Sequence, residues 1–125
     1  MENYIVEGSR KTPSIKLDKR GFLKIGGRSI HEDPDKFFKP IVDWVEEYCG
    51  SPPSETTTVD ILLEYFNSGS AKYILTLLQV LTERLREGHN LKINWHYEEG
   101  DDDILERGQY YSSLLKKEFT FILDK

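Results

Sequence analysis

The sequence predicts an α/β fold: a mixed sheet with about three helices packed mainly on one face, residues 1–125 forming a single domain. Three observations carry this reading. Apolar spacing alternates along the chain between a period of two and a helical period, giving the order ββαβαβαβ. The middle of the chain places strand, helix and strand within about forty residues, the pattern of a βαβ unit with parallel strands and a right-handed crossover. With 38% apolar and 12% aromatic residues in a chain of 125, a core can be buried without covalent staples.

The elements follow in order. Ser14 to Asp18 (SIKLD) alternates apolar and polar, Lys19-Arg20-Gly21 supplies a turn, and Phe22 to Ile25 alternates again. Together they read as a hairpin ended by a turn at Gly26-Gly27. Pro34 stands where a first helical turn tolerates it, with Asp33 before it as the cap. Phe37, Phe38, Ile41, Val42, Val45, Tyr48 and Cys49 then form the apolar stripe of a helix that Gly50, Ser51, Pro52 and Pro53 stop. From Thr57 to Phe66 the period is two: Val59, Ile61, Leu63 and Tyr65 share one face, and Asp60, Leu62, Glu64 and Phe66 the other. Apolar residues on both faces mark an interior strand. Ser70 to Arg86 is a long helix carrying Ala71, Ile74, Leu75, Leu78, Leu81 and Leu85, with Gly88 as its C-terminal cap. Leu91, Ile93, Trp95 and Tyr97 line a further strand. An acidic loop, Glu98 to Asp103, leads to a helix over Ile104 to Leu115, and Phe119 to Leu123 is the last strand.

Composition narrows the function classes. The 22 acidic and 17 basic residues leave a net charge of −5, which disfavours nucleic acid and anionic membranes. The basic clusters Arg10-Lys11, Lys16 to Arg20 and Lys116-Lys117 form no stripe with interleaved aromatics. Cys49 is the one cysteine, so it has no intramolecular disulfide partner. The first residues lack a signal-peptide core, and no run approaches the ~18 apolar residues of a membrane span. A soluble protein of the cytoplasm, working on protein partners, is the expectation.

No catalytic constellation is legible, and no cofactor or metal is called for. His31 falls in a loop, His89 in a turn and His96 near a strand end, without HExxH, His-Cys pairing or a nucleophile elbow. The run EEGDDD lacks the ligand spacing of a calcium loop, whereas carboxylates at a helix start suit its partial positive charge. Gly26-Gly27 matches no phosphate-binding fingerprint.

The stretch YFNSGSAKYI, Tyr65 to Ile74, is richer in small polar groups than a strand-to-helix connection needs. Asn67 or Ser68 suffices as an N-cap, and Gly69 relaxes the backbone. A second use exists for Ser68, as acceptor of a phosphoryl group. A phosphate there would meet the free N–H groups of a helix start.

The succession TPSIKLD, HEDPDKFFKPIVDWVEEY, LLEYFNSGSAKYILTLLQVL and LKINWHY resembles the SiaC family of bacterial regulatory phosphoproteins, from about Thr12 to Phe121. The FFxPIxxWV helix (Phe37 to Val45), the YFNSxS turn and the WHY strand end are its most specific parts. The resemblance implies a STAS-like architecture and a non-enzymatic role in partner switching. A Ser/Thr kinase would phosphorylate Ser68 and a PP2C-type phosphatase would remove the group. In the best-known case, the unphosphorylated form activates a diguanylate cyclase, raising cyclic-di-GMP and promoting biofilm formation; an anti-sigma factor is the alternative target. The best-known member has threonine where this chain has Ser68, and Gly69 replaces a hydroxyl residue, which leaves Ser70 as the alternative acceptor. The expected partner surface comprises Asn67, Gly69, Ala71, Lys72 and Leu75 around the same turn.

Overall fold

In a computed structural model of the chain, residues 1–30, 32–52 and 55–124 are described. His31 and Pro53, read above as a loop residue and a helix stop, lie outside them. The element order is β1 (Tyr4–Val6), β2 (Ser14–Asp18), β3 (Phe22–Ser29), α1 (Pro34–Gly50), β4 (Thr56–Phe66), α2 (Ser68–Arg84), β5 (Asn90–Glu98), α3 (Asp102–Leu115) and β6 (Thr120–Asp124). The strands stand in one sheet in sequence order, β1-β2-β3-β4-β5-β6. The first two pairings are antiparallel and the last three parallel.

Each parallel step is made by one helix, and the steps all advance the same way across the sheet. Right-handed crossovers then place every helix on the same face. The register shows which strand residues meet them: Leu17, Leu23, Val59 and Ile93 form one row, and Ile15, Ile25, Ile61 and Trp95 the next. All eight are buried in a common core with Phe38, Ile41, Val45 and Tyr48 of α1 and Ile74, Leu78 and Leu81 of α2. Burying a side chain of this size contributes about 1.5–3 kcal/mol. Lys16, Lys24, Asp60 and Asn94 project to the opposite face, which no helix covers.

The fold class is the expected one, and four local expectations are corrected. A further strand, β1, precedes the hairpin; at three residues it is too short to leave a readable period. The Trp44 indole donates to the Glu2 carbonyl at 2.7 Å and ties this segment to α1. Gly26-Gly27 is no turn: β3 runs through it to Ser29 because β4 continues to pair with it. Gly27 has φ +91, a conformation open to glycine. Opposite it the register slips, with Gly27 paired to Leu63 and Arg28 to Tyr65, so Glu64 is the extra residue of a β-bulge. The bulge reverses the expected faces beyond it: Tyr65 is 53% exposed, whereas Phe66 packs against the core. Finally, α2 spans Ser68–Arg84, not Ser70 to Arg86, with Leu85 as its C-cap. Gly88 instead serves the next turn at φ +89, where the His89 N–H donates to the Arg86 carbonyl at 3.0 Å.

Candidate functional site

The site forms at the carboxyl ends of β4 and β5, where α2 and α3 begin. Asn67 sets the local geometry. Its extended backbone (φ −80, ψ 173) ends β4, and its Oδ1 accepts from the Ser70 N–H at 2.9 Å. This is the side-chain cap that satisfies a helix-start donor. The Asn67 N–H donates to the Ser29 carbonyl at 3.0 Å, so the cap is also anchored to β3. Ser70 is fully buried, with its Oγ accepting from the Ser29 Oγ at 2.8 Å. Gly69 is held close to α1: a Cβ at this position would lie 3.3 Å from Pro34 Cγ.

Two of the turn's three polar side chains are therefore consumed by the fold. Ser68, the first residue of α2, is exposed, and among the described residues its hydroxyl makes no hydrogen bond. It opens on a groove of about 840 Å³ whose lining includes Glu64, Asp101, Asp103, Glu106, Arg107 and Tyr110. Tyr65 and Phe66 line it too, Tyr65 turned outward by the bulge. Tyr110 is 60% exposed and Leu114, one turn further along α3, 51%. Arg107 lies with its guanidinium 5.6 Å from the Phe66 ring centroid.

The start of α3 is held as the acidic loop suggested. Asp101 caps the helix by accepting from the Ile104 N–H at 3.2 Å, with Asp102 and Asp103 in the first turn. The Trp95 indole donates to the Ile104 carbonyl at 2.9 Å, and the Tyr111 hydroxyl donates to the Ala71 carbonyl at 3.1 Å. These bonds fix the spacing between α3, β5 and α2. Burial raises the Tyr111 phenol above its ordinary pKa, while the Arg107 guanidinium beside it pulls the other way.

The remaining residues expected at the partner surface divide. Asn67 is part-buried and Gly69 exposed. Lys72 is exposed, with its Nζ 5.6 Å from the Tyr73 ring centroid on the side of α2 that meets α1. Leu75 is half-buried and packs against the core. Ala71 is only 6% exposed, because α2 turns it inward, and it cannot serve in a contact surface. The sequence reading missed Tyr65, Arg107 and Tyr110. A signal for the last was present: Tyr110-Tyr111 and Leu114-Leu115 put apolar groups on both sides of α3, more than one buried stripe can use.

His96 and His89 have structural partners. His96 Nδ1 lies 3.0 Å from Asp124 and its Nε2 3.4 Å from Asp60, on the uncovered sheet face. His89 Nε2 lies 2.7 Å from the Thr57 hydroxyl, which also bonds Tyr48 at 2.6 Å. Among the described residues no cluster of three or more His, Cys, Asp and Glu side chains is placed to hold a metal ion. None of the described helices is long and apolar enough to cross a membrane.

Comparison with known proteins places this geometry. A sequence profile described as "SiaC family regulatory phosphoprotein" matches residues 6–123. An uncharacterized protein of Pseudomonas aeruginosa (strain UCBPP-PA14) is 29% identical over 114 residues, 89% of this chain and 88% of that protein. The crystal structure of apo-SiaC from Pseudomonas aeruginosa superposes with a TM-score of 0.82 at 25% identity, over 100% of both chains. In a crystal structure of the diguanylate cyclase SiaD with its activator SiaC, from the same organism, the similar chain gives a TM-score of 0.87 at 24% identity. That match covers 97% of this chain and 99% of the other.

Proposed function

The chain belongs to the SiaC family of regulatory phosphoproteins, and from that membership we propose that reversible phosphorylation of Ser68 decides which protein it binds. As a member of this family it is a regulator and not an enzyme. The observation that carries the proposal is the division of labour in the turn. Asn67 and Ser70 are committed to the fold, while the adjacent Ser68 hydroxyl is exposed and unbonded among the described residues. For the same reason the acceptor is Ser68 and not Ser70, whose buried oxygen no kinase could reach without unfolding the start of α2.

In the reaction, Ser68 Oγ attacks the γ-phosphorus of ATP. The new O–P bond forms as the bond to the β-phosphate oxygen breaks, ADP leaves, and the serine proton passes to the kinase. A PP2C-type phosphatase hydrolyses the ester. The added charge of about −1.5 to −2 sits at a helix N-terminus, where the dipole stabilises it by about 0.3–1 kcal/mol. The fold tolerates the modification. An interface differs, because an unpartnered charge buried there costs roughly 2–5 kcal/mol.

The effector proposed is a diguanylate cyclase, by analogy with the SiaC chain seen with SiaD, bound when Ser68 is bare. The proposed setting is the cytoplasm, with the chain acting as one SiaC-like domain. The test is incubation with the cognate kinase and ATP, followed by mass spectrometry on wild type and Ser68→Ala. Phosphate retained on the Ala variant overturns the assignment. Capture with wild type, Ser68→Ala and Ser68→Asp then identifies the effector; an anti-sigma factor in place of a cyclase would replace the effector and keep the switch.

A further inference from the structure

We infer that Arg107 is the internal receptor for a phosphate on Ser68, a role that rests on the reading of Ser68 as the acceptor. Both residues line the same groove, one at the start of α2 and the other on α3. Two contacts bring the Arg107 guanidinium toward that start: it stands over the ring of Phe66, two residues before Ser68, and beside the hydroxyl of Tyr111, which is bonded to the Ala71 carbonyl three residues after it. Among the described residues it forms no ion pair, although Glu64, Asp101, Asp103 and Glu106 line the groove with it. A guanidinium held only by an aromatic face and a neutral phenol, with no carboxylate paired to it among the described residues, is poised to exchange those weak contacts for a bidentate one. Cation–π attraction at the half-buried Phe66 ring is worth less than forked, charge-assisted bonds to a phosphate.

Of the other cations, Lys72 lies one turn after Ser68 but holds its Nζ over the Tyr73 ring and does not line the groove, and Arg28 is exposed on β3 outside that lining. Capture of Arg107 would leave the Phe66 ring uncovered. It would also withdraw the groove's cation from any partner that docks across Tyr65, Tyr110 and Leu114. A phosphate would thus change this surface twice, by the charge it brings and by the charge it takes away.

The test is a phosphorus NMR titration of protein carrying phosphoserine at position 68, installed by genetic encoding so that no kinase is needed. The carboxylates of Glu64, Asp101, Asp103 and Glu106 raise the phosphate's second ionisation and Arg107 lowers it, so the comparison between variants is the readout. In Arg107→Gln the proton affinity should rise by about three- to tenfold from a second pKa near 6 in exposed phosphoserine. Arg107→Lys should recover part of the shift, and Lys72→Gln should shift the titration by less than Arg107→Gln does. An unaltered titration in Arg107→Gln, or a larger shift in Lys72→Gln, overturns the inference. Failure of the kinase to modify Ser68 would overturn the acceptor assignment while leaving this titration readable.

Discussion

Replacing Gly108 by alanine sets two physical effects of opposite sign against each other. Gly108 lies within α3 and is buried where the helix crosses β5. Helix propensity alone makes Gly→Ala stabilising by about 1 kcal/mol. A Cβ at this position, however, would lie 2.5 Å from Trp95 Nε1, 2.6 Å from Cδ1 and 2.7 Å from Cε2. The indole cannot step aside easily: it is 1% exposed, stacked on Phe119 and met edge-on by Phe66 and Tyr111. Forcing a methyl into such packing costs about 1–3 kcal/mol. Displacing the ring also threatens its bond to the Ile104 carbonyl, and a buried unpaired donor costs a further ~1–3 kcal/mol. The sum favours destabilisation by about 1–5 kcal/mol, a fall in Tm of roughly 4 °C for each kcal/mol in a chain of this size. Thermal unfolding followed by far-UV circular dichroism, with near-UV dichroism reporting the tryptophan environment, measures it. A Tm equal to or above wild type would refute the docking of α3 on Trp95 and with it the geometry of the groove.

In urea titrations, Ser68→Ala should stay within about 0.5 kcal/mol of wild type, whereas Asn67→Ala should lose ~1 kcal/mol with its cap and Ser70→Ala ~1–3 kcal/mol by orphaning the buried Ser29 hydroxyl; equal effects at the three positions would contradict the division of labour in the turn. Hydrogen bonds from the Arg20 side chain and backbone hold the Asp18 carboxyl at about 2, below its ordinary 3.8. The native state thus releases this proton more readily than the unfolded chain, and the resulting stability is present above about pH 4 and lost as the pH falls toward 2. Asp18→Asn should therefore flatten the acid limb in that window, and an unchanged limb in an acid-denaturation series would count against the pairing. Burial pushes the Cys49 thiol up to about 11, so a thiol reagent at neutral pH should label it only after denaturant is added; rapid labelling of the native protein would contradict its burial. Thr57→Val should cost about 1–3 kcal/mol by stranding the Tyr48 hydroxyl and His89 Nε2, measured by the shift of the urea midpoint.

The N-caps were legible to within a choice, Asp33 for α1, Asn67 or Ser68 for α2 and the acidic loop for α3, although α2 starts two residues before the expected Ser70. Asp33, Asn67 and Asp101 each accept from the N–H three residues on, a bond that spans less than one helical turn. The buried stripe of α1 was read except for Trp44, whose outward part is covered by the N-terminal segment through the bond to Glu2. The candidate site was half legible. The YFNSGS turn stood out by composition, and Ser68 lies exposed where it was placed. Its other wall, from Asp101 to Tyr110 along α3, could not be read because it belongs to an element more than thirty residues away that only the β5 crossover brings back.

What the sequence determined by itself was the succession of periods, the N-terminal caps to within a residue and the parallel order of the middle strands, since each follows from neighbours along the chain and from the handedness of L-residues. Tertiary structure alone decided which face a side chain takes once pairing slips, as at Glu64, where one unpaired residue turns Tyr65 outward and Phe66 inward. It also decided between two serines two positions apart. Ser70 meets Ser29 across the end of β3 and is sealed, while Ser68, rotated about 200° around the same helix, faces the groove. Local chemistry makes the two hydroxyls equivalent, and only the packing of α2 on the sheet distinguishes them.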